Sequence, residues 1–92
     1  MTIQDIKSVG IIGAGQMGSG IAHVSSLAGF DVRMVDVNQE QLDSALAIIK
    51  KNMQRQASKG IISEADIDPA LLKITNSQEL ESRNQCDVVI EA

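Results

Sequence analysis

The chain has 92 residues, 43% apolar and 22% charged, which is the composition of a folded domain and not of a disordered one. A single aromatic residue, Phe30, and a net charge of −4 exclude a base-stacking nucleic-acid module and a general polyanion-binding surface. One cysteine, Cys86, rules out an internal disulfide framework and a multi-cysteine zinc site; no apolar run approaches the ~18 residues of a membrane span, and Met1–Asp5 carries no basic signal-peptide start, so the default compartment is cytoplasmic.

Ser8 to Gly13 reads as a short, nearly continuous apolar strand of the kind buried on both faces in a parallel sheet. A helical pattern follows, with Met17, Ile21, Val24 and Ala28 at spacings of three and four, and Gly29 as its stop. Asp31 to Val37 is a second strand. Asn38 with Gln41 three residues on is a capping-box signature, and the helix it opens carries Leu42, Leu46, Ile49, Met53 and Ala57 before Gly60 ends it. Ser63 with Asp66 suggests another capped start, a short helix interrupted or re-initiated at Pro69. Leu71 to Thr75 is a brief third strand by composition, although helix and strand are hard to separate there. Asp87 to Glu91 is a β-branched fourth strand.

Strand–helix alternation implies a parallel sheet with crossover helices, an α/β class. Gly13-Ala14-Gly15-Gln16-Met17-Gly18 fits G-x-G-x-x-G, follows a strand and opens a helix, the context that gives this otherwise weak motif its meaning. Gly13 permits the tight turn, Gly15 lets backbone amides approach a diphosphate, and Gly18 lets helix and sheet pack closely. A diphosphate then sits at the helix N-terminus, where free amides and the positive dipole end favour anions. Asp36 lies 21 residues after Gly15, where a carboxylate can accept hydrogen bonds from a ribose 2′-hydroxyl. No Gly-Lys-Ser/Thr follows the glycines, so a P-loop is excluded. The expectation is a Rossmann-type, doubly wound sheet of which these residues supply the first three or four strands, binding NAD. A complete domain of this kind runs about half as long again.

The run Val9 to Ala22, the Val-Asp closing the second strand, Lys59-Gly60-Ile61 and Cys86 to Ala92 resemble the N-terminus of the 3-hydroxyacyl-CoA dehydrogenase family, which includes 3-hydroxybutyryl-CoA dehydrogenases. The resemblance covers essentially the whole chain and about the first third of a typical member, with Met1 where a stand-alone enzyme begins. It implies an NAD-dependent interconversion of (S)-3-hydroxyacyl-CoA and 3-ketoacyl-CoA in fatty acid or butanoate metabolism, and a homodimeric parent. It also implies that the catalytic His–Glu pair, its Ser and Asn helpers and the helical dimerisation domain lie beyond Ala92. This chain then holds a cofactor half-site, no catalytic residue and no activity of its own.

His23, the only histidine, therefore reads as a surface or packing residue and not as the base, and Cys86 as a small residue near a strand start. Four of the eight basic residues fall between Lys50 and Lys59, and at 100° per residue Asn52 and Lys59 point within about 20° of each other. By resemblance, residues at Asn52 and Lys59 approach the nucleotide end of coenzyme A; a solvated polar face is the alternative. Ala92 borders the nicotinamide side on the same analogy. Two other readings share the glycine loop: an enzyme of the 3-hydroxyisobutyrate or 6-phosphogluconate dehydrogenase type, which the long second helix disfavours, and a non-catalytic nucleotide-binding module.

Overall fold

The computed structural model describes residues 6–92, the side chains of residues 82 and 83 excepted. Four parallel strands, β1 (Ser8–Ile12), β2 (Asp31–Val35), β3 (Ile74–Ser77) and β4 (Val88–Glu91), form one sheet in the order β3-β2-β1-β4. Helix α1 (Gln16–Leu27) connects β1 to β2; α2 (Gln39–Ser58) and the short α3 (Ile67–Leu72) connect β2 to β3. The order reverses at β1, whose neighbours are the second and fourth strands. A crevice opens beyond the strand ends at such a point, and it is where α/β folds bind ligands.

Register explains the core. Val9 pairs with Val32 and Val88, and Ile11 with Met34 and Ile90, so these side chains share one sheet face. Val9, Ile11, Val32 and Met34 join Leu42, Ala45, Ile49 and Met53 of α2 in a single apolar cluster, with Ile90 packed against it. Of the α2 stripe read from the sequence, Leu42, Ile49 and Met53 are buried, and Leu46 and Ala57 are half-buried against the core. Half of the helix's capping box forms: Asn38 Oδ1 accepts from the N–H groups of Glu40 (2.9 Å) and Gln41 (3.3 Å), but the Asn38 N–H donates to Asp36 Oδ1 (2.9 Å) and not to Gln41.

Helix α1 departs from expectation. Met17 and Val24 stand on its outer side, 65% and 62% exposed, while Gly18, Ser19, Ala22, His23 and Ser26 face inward. The apolar periodicity pointed to the wrong face because α1 lies so near β1 that only small residues fit between them; a Cβ on Gly18 would fall onto the carbonyl oxygen of Gly13. The third connection differs as well. Ser63 and Asp66 do form their reciprocal cap, Ser63 Oγ accepting from Ala65 N–H (3.3 Å) and the Asp66 carboxylate from Ser63 N–H (3.1 Å), but the cap opens a 3-10 turn over Glu64–Asp66. Helix α3 begins directly after it at Ile67, and Pro69 lies in its first turn, where a missing N–H leaves no helical bond unmade. Leu71 and Leu72 close that helix, so β3 starts only at Ile74. The second strand ends at Val35, leaving Asp36 and Val37 in the turn.

The opposite sheet face is crossed by a 3-10 segment, Leu80–Gln85, that leads into β4. Cys86 packs there into the notch left by Gly10, whose Cβ would lie 3.1 Å from the Cys86 sulfur. Burial raises the thiol pKa, so Cys86 fills space as an uncharged group.

Asp87 ties β4 to β1 at their starts. Its Oδ2 accepts from the N–H of Lys7 (2.8 Å), the N–H of Ser8 (3.1 Å) and the Ser8 hydroxyl (3.3 Å). The two backbone donors hold its pKa below the ordinary carboxylate value of 3.8. A depressed folded-state pKa stabilises above the unfolded value, and that contribution is lost as pH falls through the folded one. Asp87→Asn is accordingly expected to unfold at lower urea concentration than the parent chain at neutral pH, with the gap closing in acid. A gap of the same size at both pH values would rule out the carboxylate as its source.

Candidate functional site

The site grows from the end of β1. After Ile12 the chain turns at Gly13, which sits at φ +104° and donates its N–H to the Val35 carbonyl at 2.7 Å. That bond places the turn against the exit of β2. On the other side Ala92 closes in: its N–H donates to Ile12 O (2.9 Å), and its own carbonyl oxygen lies 2.7 Å from where a Gly13 Cβ would stand. Gly13 is therefore enclosed by the ends of β2 and β4, and a side chain has neither the backbone geometry nor the room it needs.

Gly15 is the N-cap of α1. It contributes no capping side chain, and the first turn of the helix contains no acidic residue. The amides of Gln16, Met17 and Gly18 thus begin a helix whose positive dipole end has no acidic residue or capping side chain of its own first turn to offset it. A Cβ on Gly15 would meet no heavy atom within 4 Å. The glycine is not required by neighbouring protein; it leaves open the space above the amides, a cradle into which a diphosphate fits and a methyl group would intrude.

Asp36 faces this cradle. Its Oδ2 accepts from Ala14 N–H at 2.9 Å and its Oδ1 from Asn38 N–H at 2.9 Å. These bonds, Ala14's first, lower its pKa, so the carboxylate is charged throughout the neutral range. The structure thus brings Gly13, Ala14, Gly15, Gln16, Met17, Gly18, Asp36 and Ala92 together around the strand ends, from three separate stretches of chain.

A cleft of about 390 Å³ continues from Ala14 and Gly15 between α1 and α2. Ser19 and His23 line one wall, and Gln41, Ser44, Ile48 and Asn52 the other. His23 Nε2 lies 2.7 Å from Gln56 Oε1, so the imidazole is a buried packing residue that joins the two helices. Asn52 reaches the cleft. Lys59 does not: it is the exposed C-cap of α2, one residue past the helix end. Ser44 and Ile48 were not singled out from the sequence, and Gln41 only as a capping residue, though their spacing of three and four with Asn52 marks a second stripe on α2 beside the apolar one. Among the described residues no group of three metal-ligating side chains converges, and no helix is long and apolar enough to cross a membrane.

A parallel sheet, a glycine turn into an uncapped helix and an acid at the exit of the second strand together define a dinucleotide-binding domain of the Rossmann class. Comparison with known proteins narrows the class: residues 8–92 match the family described as 3-hydroxyacyl-CoA dehydrogenase, NAD binding domain, and the chain belongs to that family. It is 50% identical over 86 residues to the 3-hydroxybutyryl-CoA dehydrogenase of Bradyrhizobium diazoefficiens, covering 94% of this chain and 29% of that protein. It is 46% identical over 88 residues to a probable 3-hydroxybutyryl-CoA dehydrogenase of Bacillus subtilis, covering 96% and 31%. The crystal structure of the (S)-3-hydroxybutyryl-CoA dehydrogenase of Ralstonia eutropha superposes with a TM-score of 0.91 at 36% identity, over 96% of this chain and 31% of that one. The chain thus spans about three tenths of the length of these relatives.

Proposed function

We propose that this chain is the cofactor-holding part of an NAD-dependent oxidoreductase that interconverts (S)-3-hydroxyacyl-CoA and 3-ketoacyl-CoA. The observation that carries the reading is the open cradle at Gly15 facing the Asp36 carboxylate, within a family of NAD-binding domains. NAD supplies a hydride acceptor; the chain's own residues bind and orient it. The amides that start α1 receive the diphosphate, Asp36 takes the adenosine ribose, and Ala92, beside Gly13, lies towards the nicotinamide. The base that removes the hydroxyl proton belongs to the part of such an enzyme that these 92 residues do not include, so the chain alone binds NAD without turnover. Acyl-CoA substrate, a homodimeric parent, a cytoplasmic location and no nucleic-acid partner complete the reading.

Asn52 and Lys59 form the coenzyme A side of the proposal. Asn52 offers amide hydrogen bonds from the cleft wall, and Lys59 an ammonium suited to a phosphate at the helix end. Titration of a full-length enzyme carrying this N-terminal sequence with acetoacetyl-CoA and with NADH provides the test. Lys59→Ala is expected to weaken the CoA ligand by about twofold to tenfold, a range set by solvent screening, and NADH much less. Equal losses for both ligands would remove Lys59 from the substrate site. No binding of acetoacetyl-CoA even by the parent would favour a nucleotide-binding module of another kind.

A further inference from the structure

The acid at the exit of β2 has a second set of partners that ribose recognition does not require. Its two oxygens are held by two backbone amides, one in its own turn and one in the glycine loop, which is separated from it by 22 positions and by the whole of α1. Ala14 packs into the apolar core, and the loop's backbone bonds lie on either side of it: Gly13 N–H to Val35 O, and Ser19 N–H to Gly15 O at 2.9 Å, already within the helix. Ala14 is itself buried, 3% exposed, so its N–H has poor access to water and would be costly to leave unpaired. The Asp36 carboxylate answers that need, with a charge-assisted bond stronger than a neutral acceptor would give.

From this geometry we propose that Asp36 is a positioning residue for the glycine loop as well as the ribose ligand, fastening the loop in its diphosphate-accepting shape before any nucleotide arrives; the functional half of this rests on the reading of that loop as the diphosphate cradle. A carboxylate has about four lone-pair sites, so two amide bonds still leave acceptor capacity for ribose hydroxyls. One side chain then couples the two halves of cofactor recognition. It cannot swing away from an ill-fitting ribose without releasing the loop.

The loop's order is measured on the 92-residue chain with no nucleotide present, so failure there is separate from failure of the NAD assignment. Amide hydrogen exchange is followed in the parent, Asp36→Ala and the isosteric Asp36→Asn. The expected result is about tenfold faster exchange at Ala14 in Asp36→Ala, with the core amides of Ile11 and Met34 nearly unchanged. Uniform acceleration, or an unchanged Ala14, would overturn the proposal. A through-bond coupling between the Ala14 nitrogen and the Asp36 side-chain carbonyl carbon tests the same bond in the parent without any variant, and its absence counts equally against it. Inorganic pyrophosphate, which has no ribose, separates the two roles. Removing a negative charge should by itself strengthen anion binding, whereas loss of the fastened loop should weaken it. About threefold or greater weakening in Asp36→Ala, which loses both the charge and the acceptor for Ala14, supports the positioning role, and unchanged or tighter binding refutes it.

Discussion

Alanine at Gly18 is expected to destabilise the fold severely, and alanine at Gly15, three residues away in the same motif, to leave the fold intact while weakening NAD binding. The difference follows from what each Cβ would meet. At Gly18 it would overlap the Gly13 carbonyl oxygen and lie 3.4 Å from the Ile11 side chain, so either α1 or the turn must shift as a backbone unit. Overpacking against side chains that can adjust costs about 1–3 kcal/mol, and a backbone obstacle leaves less freedom to relax. Total stability for a chain of this size is on the order of 5–14 kcal/mol, so a loss of about 3 kcal/mol is a large share of it. At Gly15 the backbone is ordinary and extended, φ −76° and ψ −161°, with no atom within 4 Å, so alanine is tolerated there or slightly stabilising. Its methyl group instead occupies the diphosphate's approach, and NAD affinity should fall about tenfold to a hundredfold, the worth of one or two lost charge-assisted bonds. Urea unfolding and calorimetric titration of both variants check the pair. Similar stability losses at the two positions would mean that the cradle is not open as described.

The second large effect concerns cofactor choice. NAD should be preferred to NADP by about tenfold to a thousandfold, because a 2′-phosphate would approach the Asp36 carboxylate and two unit charges about 4 Å apart repel by roughly 1–4 kcal/mol between water-like and surface-like dielectric. The structure supplies three premises that the sequence could only suggest. The carboxylate is bonded to the glycine loop through Ala14 N–H. Its lowered pKa keeps it charged, so the preference should hold across the neutral pH range. Arg33, the nearest cation along the chain, is positioned elsewhere: it lies midway along β2, paired in register with Gly10 and Thr75, and lines a separate hollow with Lys7, Lys73 and Cys86 near the strand starts. Val37, Asn38, Gln39 and Glu40, which follow the acid, offer no positive charge. Asp36→Ala in a complete enzyme should narrow the ratio from both sides, weakening NAD and admitting NADP. A variant that keeps the parent ratio would show that the carboxylate does not read the ribose.

What the sequence determined by itself was local and periodic. The glycine motif, the Asn38 cap, the α2 stripe from Leu42 to Met53 and the Ser63–Asp66 reciprocal cap all depend on residues a few positions apart, and each was legible for that reason. The meeting of glycine loop and acid could be read because the two flank one strand–helix–strand unit of nearly fixed length. Tertiary structure decided the rest. Which face of α1 is buried was set by how near the helix lies to β1, which favours Gly18, Ser19 and Ala22 over Met17 and Val24 and reverses the reading from hydrophobic spacing. Ala92 lies beside Gly13, and Asp87 beside Lys7 and Ser8, only because β4 pairs with β1 across almost the full length of the chain. The Ala14–Asp36 bond likewise appears only when parallel pairing of β1 and β2 brings their exits together. Side-chain periodicity records which faces repel water; it does not record how closely two backbones approach, and at this site that distance decides which residues the loop can hold.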